Sequence, residues 1–298
     1  MTIWRPEAGE LLIARSAVSF ATGAATPVQN MRWFRDSDRT DIQDDLPGWP
    51  EGPRFTARGK SERRVRSAAK FGASVLFVAA VGVLESLAGS GSTGNVATLG
   101  RPEEPENEVE DFPVMWAAPG TLARTLPWQL DPARRPETDR THLVVTDRRV
   151  LVLGLLNDED DPFDEVLWET GRSNIAAATR KKFSRNDTDF TIAFTDGSWC
   201  RLAGWNGTCR DDATRALEDP LPLLDPDDLT PGQQQAVRKL VEGEEPGGSL
   251  LIHRRPSGNV YVTYRLDDRV DPLYGIDSVA FKLMDHDGEN ATFHDGDI

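Results

Sequence analysis

A chain of 298 residues, 38% hydrophobic and 28% charged, is long enough for one large or two modest domains with real cores. Its formal net charge of −15 argues against wholesale binding to nucleic acid, which needs a basic surface to neutralise phosphates. Two cysteines, Cys200 and Cys209, are too few for a disulfide scaffold and lack metal-ligand spacing, so a buried free thiol is the expectation for Cys200.

Residues 1–7 hold no basic stretch followed by an apolar one, so no secretory signal is visible and a cytoplasmic location is expected. Residues 10–20 read as a strand, and the acidic, Pro/Gly-rich residues 36–56 as irregular loop. A basic tract with Arg54, Arg58, Lys60, Arg63, Arg64, Arg66 and Lys70 then runs into residues 71–84, which are apolar on all sides. A helix over about 58–88 is expected, and a helix hydrophobic all round is buried or in lipid. The uninterrupted run is shorter than the roughly 20 residues that span a bilayer. Extended to 67–88 it reaches that length, with Lys70 and Glu85 near the ends, where both can snorkel. Three readings stay open: a buried packing helix, a partner-binding helix, or a membrane-inserted or interfacial one. The last would use Phe71, Val75, Leu76, Phe77, Val78, Val81 and Leu84 as contacts and the basic flank toward anionic lipid. Residues 89–94 satisfy G-x-G-x-x-G, but residues 95–102 do not read as a helix; with acidic residues 101–111 the glycine-rich stretch forms a linker. Residues 1–111 are therefore taken together as an N-terminal region.

Residues 112–220 carry a β-domain. Residues 112–117 and 125–130 read as short strands. Residues 141–153 form a hairpin: Leu143 to Val145 and Val150 to Leu153 are β-branched or aliphatic, and Thr146 to Arg149 is a polar turn. Residues 165–169 and 174–179 look like further strands. In residues 190–202, Phe190, Ile192 and Phe194 alternate with Thr191 and Ala193, the period of a strand with one buried face. Asp196-Gly197 then supplies a hairpin turn, because glycine accepts positive φ. In the third region, residues 221–298, Thr230-Pro231-Gly232-Gln233 matches a capping box, so a helix over 231–241 should bury Val237, Leu240 and Val241. Residues 249–253 and 260–264 make another hairpin, and Val279, Phe281 and Leu283 alternate as a last strand.

Little chemistry is written locally. His142, His253, His286 and His294 have no zinc-like spacing, and no cofactor is expected. Residues 157–161 and Asp164 read as a solvated acidic loop rather than a cation site. The basic loop with Arg180, Lys181, Lys182 and Arg185, helped by Arg148, Arg149 and Arg172, is a candidate anion or phospholipid-headgroup site. Arg149 has an alternative: pairing with Asp147 or a neighbouring carboxylate.

Residues 143–152, then Val166 to Trp168, Asn174-Ile175 and residues 190–197 together resemble the bacterial PH-like (pleckstrin-homology-like, GRAM-like) domains of uncharacterised actinobacterial proteins. The resemblance covers about 60 residues well and about 110 loosely. It implies a seven-stranded bent antiparallel barrel closed by a helix, here residues 211–217 or the helix after Thr230. The expectation is a mainly β, α+β protein acting as a non-enzymatic adaptor for a protein partner or an anionic phospholipid surface. The alternatives are a hydrolase or transferase assembled from distant residues, and a single-pass membrane protein. Oligomeric state is left open.

Overall fold

The computed structural model describes residues 3–23, 27–28, 31–56, 113–156, 163–181, 187–218, 223–245, 248–271, 273, 275–294 and 297. The expected apolar helix, its linker, the acidic loop at 157–161 and the side chains of Lys182 and Arg185 lie outside the described residues.

The described chain is mainly β. Its strands are β1 (Leu12–Phe20), β2 (Phe34–Arg35), β3 (Met115–Trp116), β4 (Arg140–Thr146), β5 (Arg149–Leu156) and β6 (Phe163–Gly171). They continue with β7 (Ile175–Arg180), β8 (Asp189–Phe194), β9 (Trp199–Gly204), β10 (Ser249–Arg254), β11 (Val260–Asp271) and β12 (Gly275–Met284). The helices are α1 (Gly207–Leu217) and α2 (Pro231–Val241). Strand β1 is the hub. It pairs with β4 over residues 12–17, then with β9 from Val18 opposite Gly204 to Phe20 opposite Leu202, and meets β12 at Ser16 opposite Gly275. The order across it runs β6-β5-β4-β1-β9-β8-β7, all antiparallel, curled into a half-barrel.

The stretches Leu143 to Val145 and Val150 to Leu153 of the hairpin at residues 141–153 are apolar at every position because both faces are covered. Leu143, Val145, Val150 and Val152 point into the main core with Phe20, Phe34, Phe190 and Leu202. Val144, Leu151 and Leu153 join Leu12 in a second cluster on the other face, beneath Trp4 and Val270. Strand β8 buries Phe190, Ile192 and Phe194 as its alternation predicts, and Gly197 has φ +83 in the turn between β8 and β9. Helix α1 starts four residues earlier than expected because the Asn206 side chain caps it, accepting from the Cys209 N–H. Cys200 and Cys209 are free and buried, and burial pushes the Cys200 thiol up to about 12.

The C-terminal elements have their own core. The capping box at Thr230 and Gln233 is present, and Ala236 and Val237 pack on Ile252, Val260, Val262 and Met284. Leu240 packs against this cluster half-buried; Val241 is half-buried as well, not fully buried as expected. The α2 N-terminus is clasped by the turn after β12. Thr230 Oγ1 donates to the His286 carbonyl at 2.7 Å and Gln233 Nε2 to that of Asp285 at 2.8 Å.

Three expectations are corrected. Residues 125–130 are not a strand but parts of two 3-10 turns, Leu122–Thr125 and Trp128–Leu130. Pro127 between them has no N–H for a ladder, and the buried Ala123, Leu126 and Leu130 recur at three to four residues, not two. The strand expected over 112–117 shrinks to Met115–Trp116. Asp164 is not solvated: its side chain has 0% exposure and is paired with Arg15.

The start of the chain is tied to the β4–β5 turn through Glu10. Arg149 donates to its carboxylate at 2.9 and 3.0 Å, with Thr146 Oγ1 at 2.7 Å and the Glu7 N–H at 2.9 Å. The Arg149 bonds, outweighing burial, hold Glu10 down at about 2. Held charged in the fold and ordinary in the unfolded chain, Glu10 contributes stability that is complete above about pH 4.5 and is lost as pH falls toward 2. Glu10→Gln is expected to cost about 2 kcal/mol at pH 7, allowing for solvent screening, and almost nothing at pH 2. Urea midpoints at both pH values check this, and equal losses at both would refute it.

Candidate functional site

A cleft of about 480 Å³ opens on the outer face of the half-barrel, where β4, β1 and β9 lie side by side. That volume is within the range of about 300–1,000 Å³ typical of ligand sites. Alternation along β1 sends Val18 and Phe20 inward to the core, so Ala17 and Ser19 face out; Ala203 on β9 joins them. Three small residues on neighbouring strands make a recessed floor. The walls are Thr141 and Arg140 from β4, residues Pro132, Arg135, Pro136 and Glu137 from the preceding loop, and Trp205 at the end of β9.

Each wall is held in place. The Trp205 N–H donates to the Ala17 carbonyl at 3.0 Å, and Asn206 next to it caps α1. Trp205 is nevertheless 52% exposed, a large apolar side chain left open to solvent. Thr141 Oγ1 donates to the Val18 carbonyl at 2.6 Å and accepts from Arg135 Nη1, which also donates to the Gln129 carbonyl at 2.8 Å. Burial, and then the positive charge of Arg140, push the Arg135 guanidinium down to about 10. The Arg140 guanidinium lies 5.9 Å from the Trp205 ring centroid. Its Nη1 donates to the carbonyls of Glu137 and Asp139, while its buried Nε has no hydrogen-bond partner among the described residues. Behind the loop, fully buried Asp131 accepts from Arg134 Nε at 3.1 Å and lies 3.4 Å from Arg32 Nε.

The residues singled out from sequence sit elsewhere. Arg149 pairs with Glu7, Glu10 and Glu169 at 2.9 to 3.0 Å. Arg148 lies 4.0 Å from Asp147 and donates to the Gly9 carbonyl. Arg172 donates to the carbonyls of Thr146, at 3.0 Å, and Ala216. These three therefore tie the chain start and the end of α1 to the β4–β5 turn. Arg180 pairs with Asp211 of α1 at 3.3 Å, and the Lys181 N–H donates to the Asp189 carbonyl at 2.8 Å. Lys182 and Arg185, and the contact residues Phe71 to Leu84, lie outside the described residues. Among the described residues no helix is long and apolar enough to cross a membrane.

A second polar cluster is sealed under the chain start. Arg15 Nε donates to His142 Nδ1 at 2.9 Å, and its Nη1 and Nη2 fork Asp164 at 2.8 and 2.6 Å; the Trp4 N–H donates to Asp164 at 2.7 Å. With side chains at 0% exposure, Arg15 and Asp164 hold β1 to β6 across β4 and β5 and are closed to ligand.

Sequence reading missed Arg135, Arg140 and Trp205. The available signal was a tryptophan placed between a strand end and a helix cap, in Gly204-Trp205-Asn206. No protein-family model, no curated protein and no solved structure matches this chain.

Proposed function

We propose that the protein is a non-enzymatic binding module on a PH-like plan, and that the Trp205 cleft is its surface for a protein partner. Two features support the plan. Strands β1 and β4–β9 form two antiparallel meanders sharing β1, and α1 follows them in sequence and packs against β1, β7 and β9. The cleft carries the functional reading, since a fold alone does not choose a ligand. Its lining joins an exposed indole, two guanidinium groups and a floor of small side chains, with tryptophan and arginine among the residue types enriched where proteins recognise one another. Among the lining residues the hydroxyl of Thr141 is engaged by the Val18 carbonyl and by Arg135.

Selection from a displayed peptide library tests this. Peptides enriched by the native protein should lose at least about tenfold in affinity for Trp205→Ala, the scale of a central aromatic hot spot. Failure to enrich any peptide that depends on Trp205 would defeat the reading. Sedimentation with phosphatidylserine vesicles, abolished by Arg180→Glu with Lys181→Glu, would favour the anionic-membrane alternative instead.

A further inference from the structure

We infer that the cleft takes a carboxylate carried beside an aromatic or aliphatic group, with Arg140 as the fork and Trp205 as the apolar wall. The inference rests on the binding-module reading and names the ligand chemistry of the same site.

The geometry of Arg140 comes first. A guanidinium forks a carboxylate along one edge, through two parallel N–H donors. The Nη1 of Arg140 is used by the carbonyls of Glu137 and Asp139, which leaves the edge formed by Nε and Nη2. The Nε on that edge is buried without an acceptor among the described residues. A buried donor without a partner is costly, and an anion seated against Arg140 would supply one as the side chain turns that edge into the cleft.

Charge then selects among anions. Lining the cleft are Arg135 and Arg140 against Glu137, two positive charges to one negative. One unit of surplus suits a monoanion. A phosphate dianion would meet Glu137, itself on the cleft wall, with nothing to offset its second charge. A cationic ligand would face the surplus directly.

The apolar half of the ligand is set by the rest of the lining. Pro132, Pro136, Ala17 and Ala203 give nothing to hydrogen-bond through their side chains, and the Trp205 ring offers a flat face. A carboxylate of this kind comes either from a chain terminus next to an apolar residue or from an acidic side chain beside one.

Titrations followed at the Trp205 indole N–H by NMR separate these possibilities. Phenylacetate should shift that signal saturably. Phenyl phosphate at pH 8 should bind at least about fivefold more weakly, and phenethylammonium should leave the signal unmoved. Arg140→Lys keeps the charge and removes the fork, and should weaken phenylacetate about tenfold with the core amide spectrum unchanged. N-acetylphenylalanine and N-acetyl-Glu-Phe-amide then distinguish the terminal from the side-chain source. Tighter binding of the phosphate, a shift with the ammonium probe, or no effect of Arg140→Lys would overturn the inference. If all the probes fail while Trp205-dependent peptides are still selected, the carboxylate assignment falls and the binding module stands. If selection fails too, both fall.

Discussion

Gly275→Val is expected to detach the C-terminal hairpin from β1 and lower stability by about 3 kcal/mol or more. Gly275 has φ +100, a conformation that side chains rarely adopt, and an added Cβ would lie 2.1 Å from the Arg15 carbonyl oxygen and 2.8 Å from its carbon. Both atoms belong to the backbone of the hub strand, so neither can move without breaking the pairing on its other edge. Ser16 opposite Gly275 is also the register pair through which β12 meets β1. Arg265, from β11, adds a hydrogen bond to the Ile13 carbonyl across the same junction. Gly243→Val provides the contrast. Gly243 has φ +94 with nothing within 4 Å among the described residues, so it carries only the left-handed strain, about 1–2 kcal/mol. Urea unfolding midpoints measure both. Equal losses in the two variants would show that the junction is not close-packed.

The second large effect is expected at the sealed polar cluster. Arg15→Met alone, or Asp164→Leu alone, should cost about 3–5 kcal/mol, because each leaves an opposite charge buried without its partner. The double variant should cost less than the sum of the two, since both charges leave together and apolar side chains of similar length replace them. It will not be free. The Trp4 N–H loses its acceptor on Asp164 and His142 Nδ1 loses the Arg15 donor. A thermodynamic cycle of the four proteins reads the coupling, and strictly additive losses would contradict a cooperative pair.

What could be read from sequence is what is set locally. The hairpin at 141–153, the alternation of Phe190, Ile192 and Phe194, the Gly197 turn and the capping box at Thr230 each depend on neighbours within a few residues. The rest depends on distant ones. For Arg149 a carboxylate partner is one of two readings of the sequence, but which carboxylates it meets, Glu7, Glu10 and Glu169, is set by chain folding. Asp164 reads as one more acidic loop residue because its partner Arg15 is 149 positions away. The cleft is least legible of all. Its floor needs Ala17 from β1 beside Ala203 from β9, and neither alanine announces a site by itself. Small residues are visible in a sequence; the concavity they leave is a property of strand order.

The central claim is that this chain recognises a ligand at Trp205. A fragment set of neutral, anionic and cationic aromatic compounds, screened against isotope-labelled protein and mapped by amide and indole shifts, tests it directly. The anionic members should produce the largest shifts, gathered at Trp205, Arg140, Ala203 and Ser19. Shifts gathered around Arg180 and Lys181, or spread without any cluster at the cleft, would contradict it.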